Sequence, residues 1–269
     1  MAANTVRKWI REQEMRGNPV FTMNALKEAF PEHTLQSLLN ALMRLKRDNI
    51  IYSPYKSFYV TIPPHYALKG SVPPYFYINT LMKHLKRGYY FGLLSAASLW
   101  GASHQKPQTD FIVTTLPKIY TPVKDKREIK WIYRNSIPAS LLCEKPGEAG
   151  PVIYSNAELT AIDLVQYESH AGGLSAAATI LSELIESTDF TDAAEGVFKL
   201  CSTPCIQRLG YIIDTIIGDK KQGETIYSEL HKLNSRIRNT ALSSRSEPDG
   251  EVDDKWKIII NAEIEIDDL

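Results

Sequence analysis

Tyr89-Tyr90-Phe91-Gly92-Leu93-Leu94-Ser95-Ala96-Ala97-Ser98-Leu99-Trp100-Gly101 is the longest uncharged, apolar-rich run in the sequence. Read as a helix, it spans about three turns. Phe91, Leu94, Ala97 and Ser98 fall on one face, and Leu93, Ala96, Ala97 and Trp100 on the next. Such a helix is apolar nearly all round and is expected to be buried. Gly101 is placed to end it, because glycine adopts the left-handed conformation of a helix C-terminus. Beyond the polar corner Ser103-His104-Gln105-Lys106-Pro107, the β-branched run Phe111-Ile112-Val113-Thr114-Thr115 predicts a buried strand. A buried helix feeding a strand is a core unit, around which the flanking segments should pack.

On the N-terminal side, Thr5 to Arg16 reads as a helix with Val6, Trp9, Ile10 and Gln13 on one side and Gly17 ending it. Val20 and Phe21 predict a short strand, and Thr22 an N-cap for a helix over 23–30. After the corner Pro31-Glu32-His33, Thr34 caps a third helix running to about Asp48, with Leu35, Leu38, Leu39, Leu42 and Leu45 as its inward stripe. Ile50-Ile51-Tyr52 and Ser57-Phe58-Tyr59-Val60 predict a hairpin around Ser53-Pro54-Tyr55-Lys56. Three helices followed by a hairpin form the winged helix-turn-helix arrangement. Residues 1–62 are therefore read as one domain, 63–74 (with Pro63-Pro64 and Pro73-Pro74) as a linker, and 75–269 as a second domain.

In that second domain a helix is expected over 75–86, with Ile78, Leu81, Met82 and Leu85 inward. Ile129 to Tyr133 predicts a strand with Lys130 and Arg134 outside, and Val152-Ile153-Tyr154 another after a loop from Pro146 to Pro151. Ser155 or Asn156 caps a helix through Glu168 with Leu159, Ile162, Leu164 and Val165 inward, and Gly172-Gly173 breaks it. Helices are expected over 176–186, 191–202, 206–217 and 225–242. The polar stretch 243–255 reads as a mobile loop, and 256–266 as a closing strand. The fold class is α+β: a winged helix-turn-helix, then a larger mixed domain with a small β-sheet covered by helices.

Hydrophobic residues at 43% and charged residues at 23% suit a globular chain and argue against wholesale disorder. No run approaches the roughly 18 apolar residues of a membrane span. Arg7 and Lys8 precede another charged stretch with no apolar core of a signal peptide. Cys143, Cys201 and Cys205 are too sparse for a disulfide scaffold, so a reduced, cytoplasmic protein is expected. The formal net charge of zero conceals an asymmetry: residues 1–138 carry 20 Lys and Arg against 8 Asp and Glu, and residues 139–269 carry 11 against 23. A basic N-terminal half points to a polyanionic partner.

Opposite the leucines, helix three carries Gln36, Ser37, Asn40, Arg44 and Arg47, read as one solvent-facing stripe. Gln and Asn can pair bidentately with adenine, and Arg with guanine, along the major-groove edge. Arg44, Lys46, Arg47 and the wing's Lys56 are placed to meet phosphates. Double-stranded DNA is the expected partner. The same face could instead contact protein, as winged-helix modules also do.

Several stretches are shared with a known family: 89–97 through Trp100-Gly101-Ala102 and His104-Gln105-Lys106-Pro107, then Asn156-Ala157-Glu158-Leu159-Thr160-Ala161-Ile162-Asp163-Leu164-Val165, then Arg208-Leu209-Gly210-Tyr211. With the N-terminal winged helix, the chain resembles the AbiEi antitoxins of bacterial abortive-infection (type IV toxin–antitoxin) systems, used in phage defence, over most of its length. The resemblance implies a transcriptional regulator that represses its own operon through inverted repeats in promoter DNA, and a C-terminal domain that counteracts a nucleotidyltransferase-like toxin. It does not require a complex with that toxin, since some members act without touching it. The shared motifs are structural, and the resemblance implies neither catalysis nor a cofactor. Two positions depart from the family pattern: Gly92 stands where a hydroxyl is usual, and Trp100 where a His is frequent.

Other chemistry finds little support. Cys201 and Cys205 could pair as metal ligands, but Pro204 intervenes and no partnering Cys or His pair exists, so buried thiols are the better reading. The six histidines lack metal-binding spacing. Gly92-Leu93-Leu94-Ser95 lacks the second glycine of a nucleophile elbow and is read as lying mid-helix. No phosphate-binding GxxxxGK[ST] is present. Asp110 with Glu128-Ile129-Lys130 loosely matches the Asp…Glu-x-Lys arrangement of metal-dependent nucleases. Strand-end charges more commonly solvate an edge.

Overall fold

The computed structural model describes residues 2–102, 107–120, 129–191, 196–233 and 236–266. Two compact units emerge, one from residues 1–89, 108–137 and 144–153, the other from 90–107, 138–143 and 154–269.

The first unit opens with α1 (Ala2–Met15), β1 (Val20–Thr22), α2 (Met23–Ala29), α3 (Leu35–Arg47), β2 (Ile51–Tyr55) and β3 (Phe58–Thr61). Thr22 and Thr34 both cap as expected, accepting from the amides of Ala25 and Ser37 at 3.2 Å. Val6, Ile10, Leu26, Leu38, Leu42, Leu45 and Ile51 form one core, with Trp9 edge-on to Phe21. The inward stripe of α3 needs correcting. Leu38, Ala41, Leu42 and Leu45 are buried, whereas Leu35 and Leu39 are exposed. Leu39 lies about 100° beyond Leu38 on the helical wheel and cannot share its face. Substituting Thr34 by alanine removes an N-cap and is expected to cost about 1 kcal/mol, measured by urea denaturation.

The hairpin is longer and tighter than expected. Its turn is Lys56-Ser57, with Ser57 taking a positive φ of 60°. Pro54 therefore lies inside β2, at a register irregularity between Tyr52 and Tyr55. The sheet order β1-β3-β2 makes β2 an edge strand, where proline removes no ladder bond.

Further along come α4 (Ile78–His84), β4 (Tyr89–Phe91), α5 (Leu93–Trp100), β5 (Asp110–Thr115), β6 (Ile129–Arg134), β7 (Leu142–Gly147) and β8 (Gly150–Ser155). The strands form a five-stranded sheet of order β6-β5-β4-β8-β7. β5 and β6 run parallel from Asp110↔Ile129 to Thr115↔Arg134. α4 is shorter than expected because the chain enters through a 3-10 turn at Pro74–Phe76. The central run divides: Tyr89, Tyr90 and Phe91 are strand, not the start of a helix. Three consecutive aromatics suit a buried sheet. Gly92 is extended and Leu93 turns the chain at φ 48° into α5. Gly101 ends α5 in the left-handed conformation at φ 83°, as its sequence position predicts. Arg134, expected outside, is buried, and the segment 146–151, expected as a loop, holds the ends of a β7–β8 hairpin.

The second unit continues with α6 (Ala157–Gln166), α7 (Glu168–Ala171), α8 (Leu174–Leu184), α9 (Thr203–Tyr211), a π-helical turn Ile212–Ile217, α10 (Lys220–Leu233), β9 (Thr240–Ala241), β10 (Glu251–Asp253) and β11 (Ile258–Ile260). Asn156 is the cap of α6, accepting from Leu159 N at 2.9 Å. Leu159, Ile162, Leu164 and Val165 are all buried. The helix expected over 191–202 is absent among the described residues of that span, which hold only a 3-10 turn at Phe198–Leu200. Phe198 packs on Phe190 there, and Ser202 starts a new helix by capping Cys205 N. The last helix begins at Lys220 rather than Thr225, and the chain is already extended at Thr240.

The segment 243–255 also departs from expectation. It contains β10, paired antiparallel with β11, and Asn261 Nδ2 donates to the carbonyls of Ser243 and Glu247 at 3.0 Å. Its polar composition hid main-chain bonding that does not depend on apolar side chains. Among the described residues, no helix is long and apolar enough to cross a membrane.

Candidate nucleic-acid interface

α3 is held by both its ends. Thr34 caps the start, and at the finish Asn49 takes a left-handed φ of 52°. Asn49 N then donates to Lys46 O and Ile50 N to Leu45 O, at 3.1 and 2.9 Å. This is the paired bond pattern that closes a helix when the residue after its cap is left-handed. With Leu38, Leu42 and Leu45 buried in the core, the opposite side of α3 is set facing water.

That side carries two parallel rows of residues spaced four apart, which lie one above another on a helix. One row is Gln36, Asn40 and Arg44; Gln36 Nε2 donates to Asn40 Oδ1 at 3.1 Å, so the two amides are pre-aligned. The adjacent row is Leu35, Leu39, Met43 and Arg47. Asn40, Met43, Arg44 and Arg47 together line one shallow depression. Arg47 and Arg7 lie 3.6 and 3.7 Å from the Asp48 carboxylate. Exposed pairs of this kind contribute little, so Arg47 is readily released to another anion.

Of the seven residues singled out from sequence, Gln36, Asn40, Arg44 and Arg47 are brought together and exposed. Ser37 sits on one flank, half-buried, its amide engaged by Thr34. Lys46 sits on the other flank, with Nζ 5.2 Å from the centre of the Tyr59 ring. Burial there lowers its pKa from the ordinary lysine value. Lys56 is exposed at the hairpin tip. Sequence reasoning missed Met43, although its place between Asn40 and Arg44 in the same turn was a usable signal.

The polar interior of the second unit is more elaborate. Tyr90 donates to Asp163 Oδ2 at 2.8 Å, both fully buried. Trp100 Nε1 donates to Ser155 O at 3.0 Å, which gives the residue at that departure from the family pattern a definite bond. The Ser155 and Thr160 hydroxyls are 2.7 Å apart. From α9, Gln207 Nε2 donates to Trp256 O at 2.9 Å and Arg208 Nε to Ala241 O at 3.0 Å. The Trp256 ring lies directly against Gly210. Asp214, in the π-helical turn, accepts from Trp256 Nε1 at 2.9 Å and Lys255 Nζ at 2.8 Å, with Lys220 Nζ 3.1 Å away.

The catalytic alternatives fare unevenly. The segment 92–95 does lie on a strand-to-helix turn, contrary to the mid-helix reading. The residue at the strained position is Leu93, however, which carries no nucleophile. Asp110 is buried and the Lys130 ammonium lies 5.8 Å over the Phe111 ring; Glu128 lies outside the described residues. His104, with the corner 103–106, is also outside them. Cys205 is buried and Cys201 half-buried. Hydrogen bonding with Cys201 and burial raise the Cys205 thiol well above its ordinary pKa.

Residues 90–215 match the family described as the AbiEi antitoxin C-terminal domain. The stretches 156–165 and 208–211, and all but Tyr89 of the central run, fall inside that span. The structure also resembles the crystal structure of the RV2827C protein from Mycobacterium tuberculosis, with a TM-score of 0.65 over 96% of this chain and 90% of that one. Identity is 16%, so the likeness is one of fold. No curated protein matches the sequence.

Proposed function

We propose, from the premise that residues 90–215 are an AbiEi antitoxin C-terminal domain, that this antitoxin binds double-stranded promoter DNA through α3 and represses its own operon. The observation that carries the DNA half is the exposed cluster of Asn40, Arg44 and Arg47 on the outer face of a doubly capped helix. α3 would enter the major groove, where Gln36 and Asn40 match adenine and Arg44 matches guanine. Arg47, Lys46 and the hairpin's Lys56 would meet phosphates, with Ser37 at the edge of the contact. Inverted repeats in the promoter are the natural target. The functional division follows the sequence reading: residues 1–62 for DNA, 63–74 as linker, and 75–269 for antitoxicity.

In this reading the second half counteracts a nucleotidyltransferase-like toxin in the cytoplasm, without catalysis or a cofactor of its own and with no requirement for direct contact. Residues 1–62 carry 9 Lys and Arg against 5 Asp and Glu, a modest basic surplus that suits a polyanionic partner.

The test is binding to the DNA upstream of the chain's own gene across a salt series, wild type beside Arg44→Ala/Arg47→Ala. The double variant is expected to bind roughly 10- to 100-fold more weakly, with a log–log salt slope shallower by about one unit per lost phosphate contact. Equal, weak binding by both proteins would sink the repressor reading. It would favour α3 as a protein-binding face, the alternative that toxin co-expression and pull-down would then pursue.

A further inference from the structure

Leu35, Leu39 and Met43 are exposed by 48, 36 and 68%, an apolar row that climbs from the flank of the buried face of α3 towards its outer side, with Met43 the most exposed. Placing a methionine in water at the centre of a helix face forgoes burial worth having elsewhere. The row is not an isolated patch. It runs beside Gln36, Asn40 and Arg44 at one residue's offset, and it ends on Arg47. Met43 shares a depression with Asn40, Arg44 and Arg47.

An occupant of this face must therefore present anionic groups, hydrogen-bonding edges and small apolar groups side by side. The major groove of DNA has this combination: phosphates at its walls, base edges on its floor, and the thymine C5 methyl as its protruding apolar group. A folded protein partner would offer a broad apolar surface, to which two arginines and two amides spread over the two rows are ill matched. The basic surplus of residues 1–138 favours the polyanion.

We propose that Met43, flanked by Leu39, is a specificity-determining residue that reads thymine methyl groups next to the bases bonded by Asn40 and Arg44. The proposal rests on the DNA-binding reading given above and adds to it a preference for thymine at defined operator positions. A methionine suits the task because its unbranched, polarizable thioether adapts to a small methyl target.

The probe is the promoter fragment amplified either with thymidine or with deoxyuridine, which keeps every hydrogen-bonding edge and removes only the C5 methyl. Wild type is expected to bind the deoxyuridine fragment about fivefold or more weakly, the loss of one or two buried methyl contacts. Met43→Ala is expected to lose a similar factor on thymidine DNA and to bind both fragments equally. Met43 is exposed, so the variant should fold, which an unchanged melting curve checks. A wild type indifferent to the methyl groups, or a Met43→Ala variant that keeps the full preference, would overturn the proposal. If binding then still depends on salt and on Arg44 and Arg47, the repressor reading stands without it. No binding of either fragment by wild type would overturn both.

Discussion

Gly210→Ala is expected to unfold the second unit at temperatures where the wild type is stable, and to abolish protection in toxin co-expression. A Cβ built at Gly210 would lie 2.0 and 2.1 Å from two carbons of the Trp256 ring and 2.6 Å from a third. Trp256 is fully buried, its indole N–H is bonded to Asp214, and its carbonyl is bonded to Gln207. Overpacking of a well-packed site costs about 1–3 kcal/mol and sometimes more. With the ring pinned by its own bonds, the upper end or beyond is expected, roughly 6 °C or more in melting temperature for a unit of this size. Differential scanning calorimetry reads it. Adding Trp256→Leu should recover part of the loss, because it removes the ring that clashes. Strictly additive effects of the two substitutions would show that Gly210 and Trp256 do not meet as described.

Asp214 carries the second large effect. Its carboxylate is buried in the π-helical turn and receives Lys255, Trp256 and Lys220; Lys255 also bonds Glu224 at 2.7 Å. Asp214→Ala leaves the buried indole N–H without its acceptor and Lys255 with Glu224 alone, at a cost of about 3 kcal/mol. The pH dependence is a separate readout. Burial pushes the Asp214 pKa up, but hydrogen bonds from Lys255, Trp256 and Lys220 outweigh it, and the net value falls below the ordinary 3.8. A carboxyl whose folded pKa is depressed adds stability that is fully present above its unfolded pKa and lost as pH falls through the folded one. Asp214→Asn keeps the shape but not the charge, so its deficit against wild type should be constant above about pH 5 and shrink below pH 4. A deficit that does not change on acidification would refute the charge-based account of this staple.

Both positions lie in or beside the Arg208-Leu209-Gly210-Tyr211 motif, and they show what such a motif encodes. Nothing in the local sequence distinguishes Gly210 from any helical glycine. Its necessity comes from Trp256, 46 positions later in the chain. Along α3, by contrast, the spacing was enough to place Asn40, Arg44 and Arg47 on the water-facing side. A helix that buries Leu38, Leu42 and Leu45 has only one direction left for them. Spacing alone did not tell which leucines were core. Leu39 is set off the face of Leu38 by helical geometry, whereas Leu35, one turn before Leu38 and as apolar, is left exposed by the packing around it.

Local chemistry thus determined the caps at Thr22 and Thr34, the cap of α6 to within one residue, the left-handed stop at Gly101, the buried strand over 111–115, and the exposed polar row of α3. These are settled within a few residues, by hydrogen bonds and helical or strand periodicity that the chain carries wherever it is placed. Tertiary structure decided the rest. It made Tyr89–Phe91 a strand, since an apolar run satisfies its backbone equally well in either form until neighbouring strands are supplied. It ordered the polar segment 243–255 through main-chain pairing with β11, and it turned Gly210, Asp214 and Trp256 into a single joint. Contacts between residues far apart in sequence leave no periodic trace, so a chain read alone shows which surfaces are available but not which of them meet.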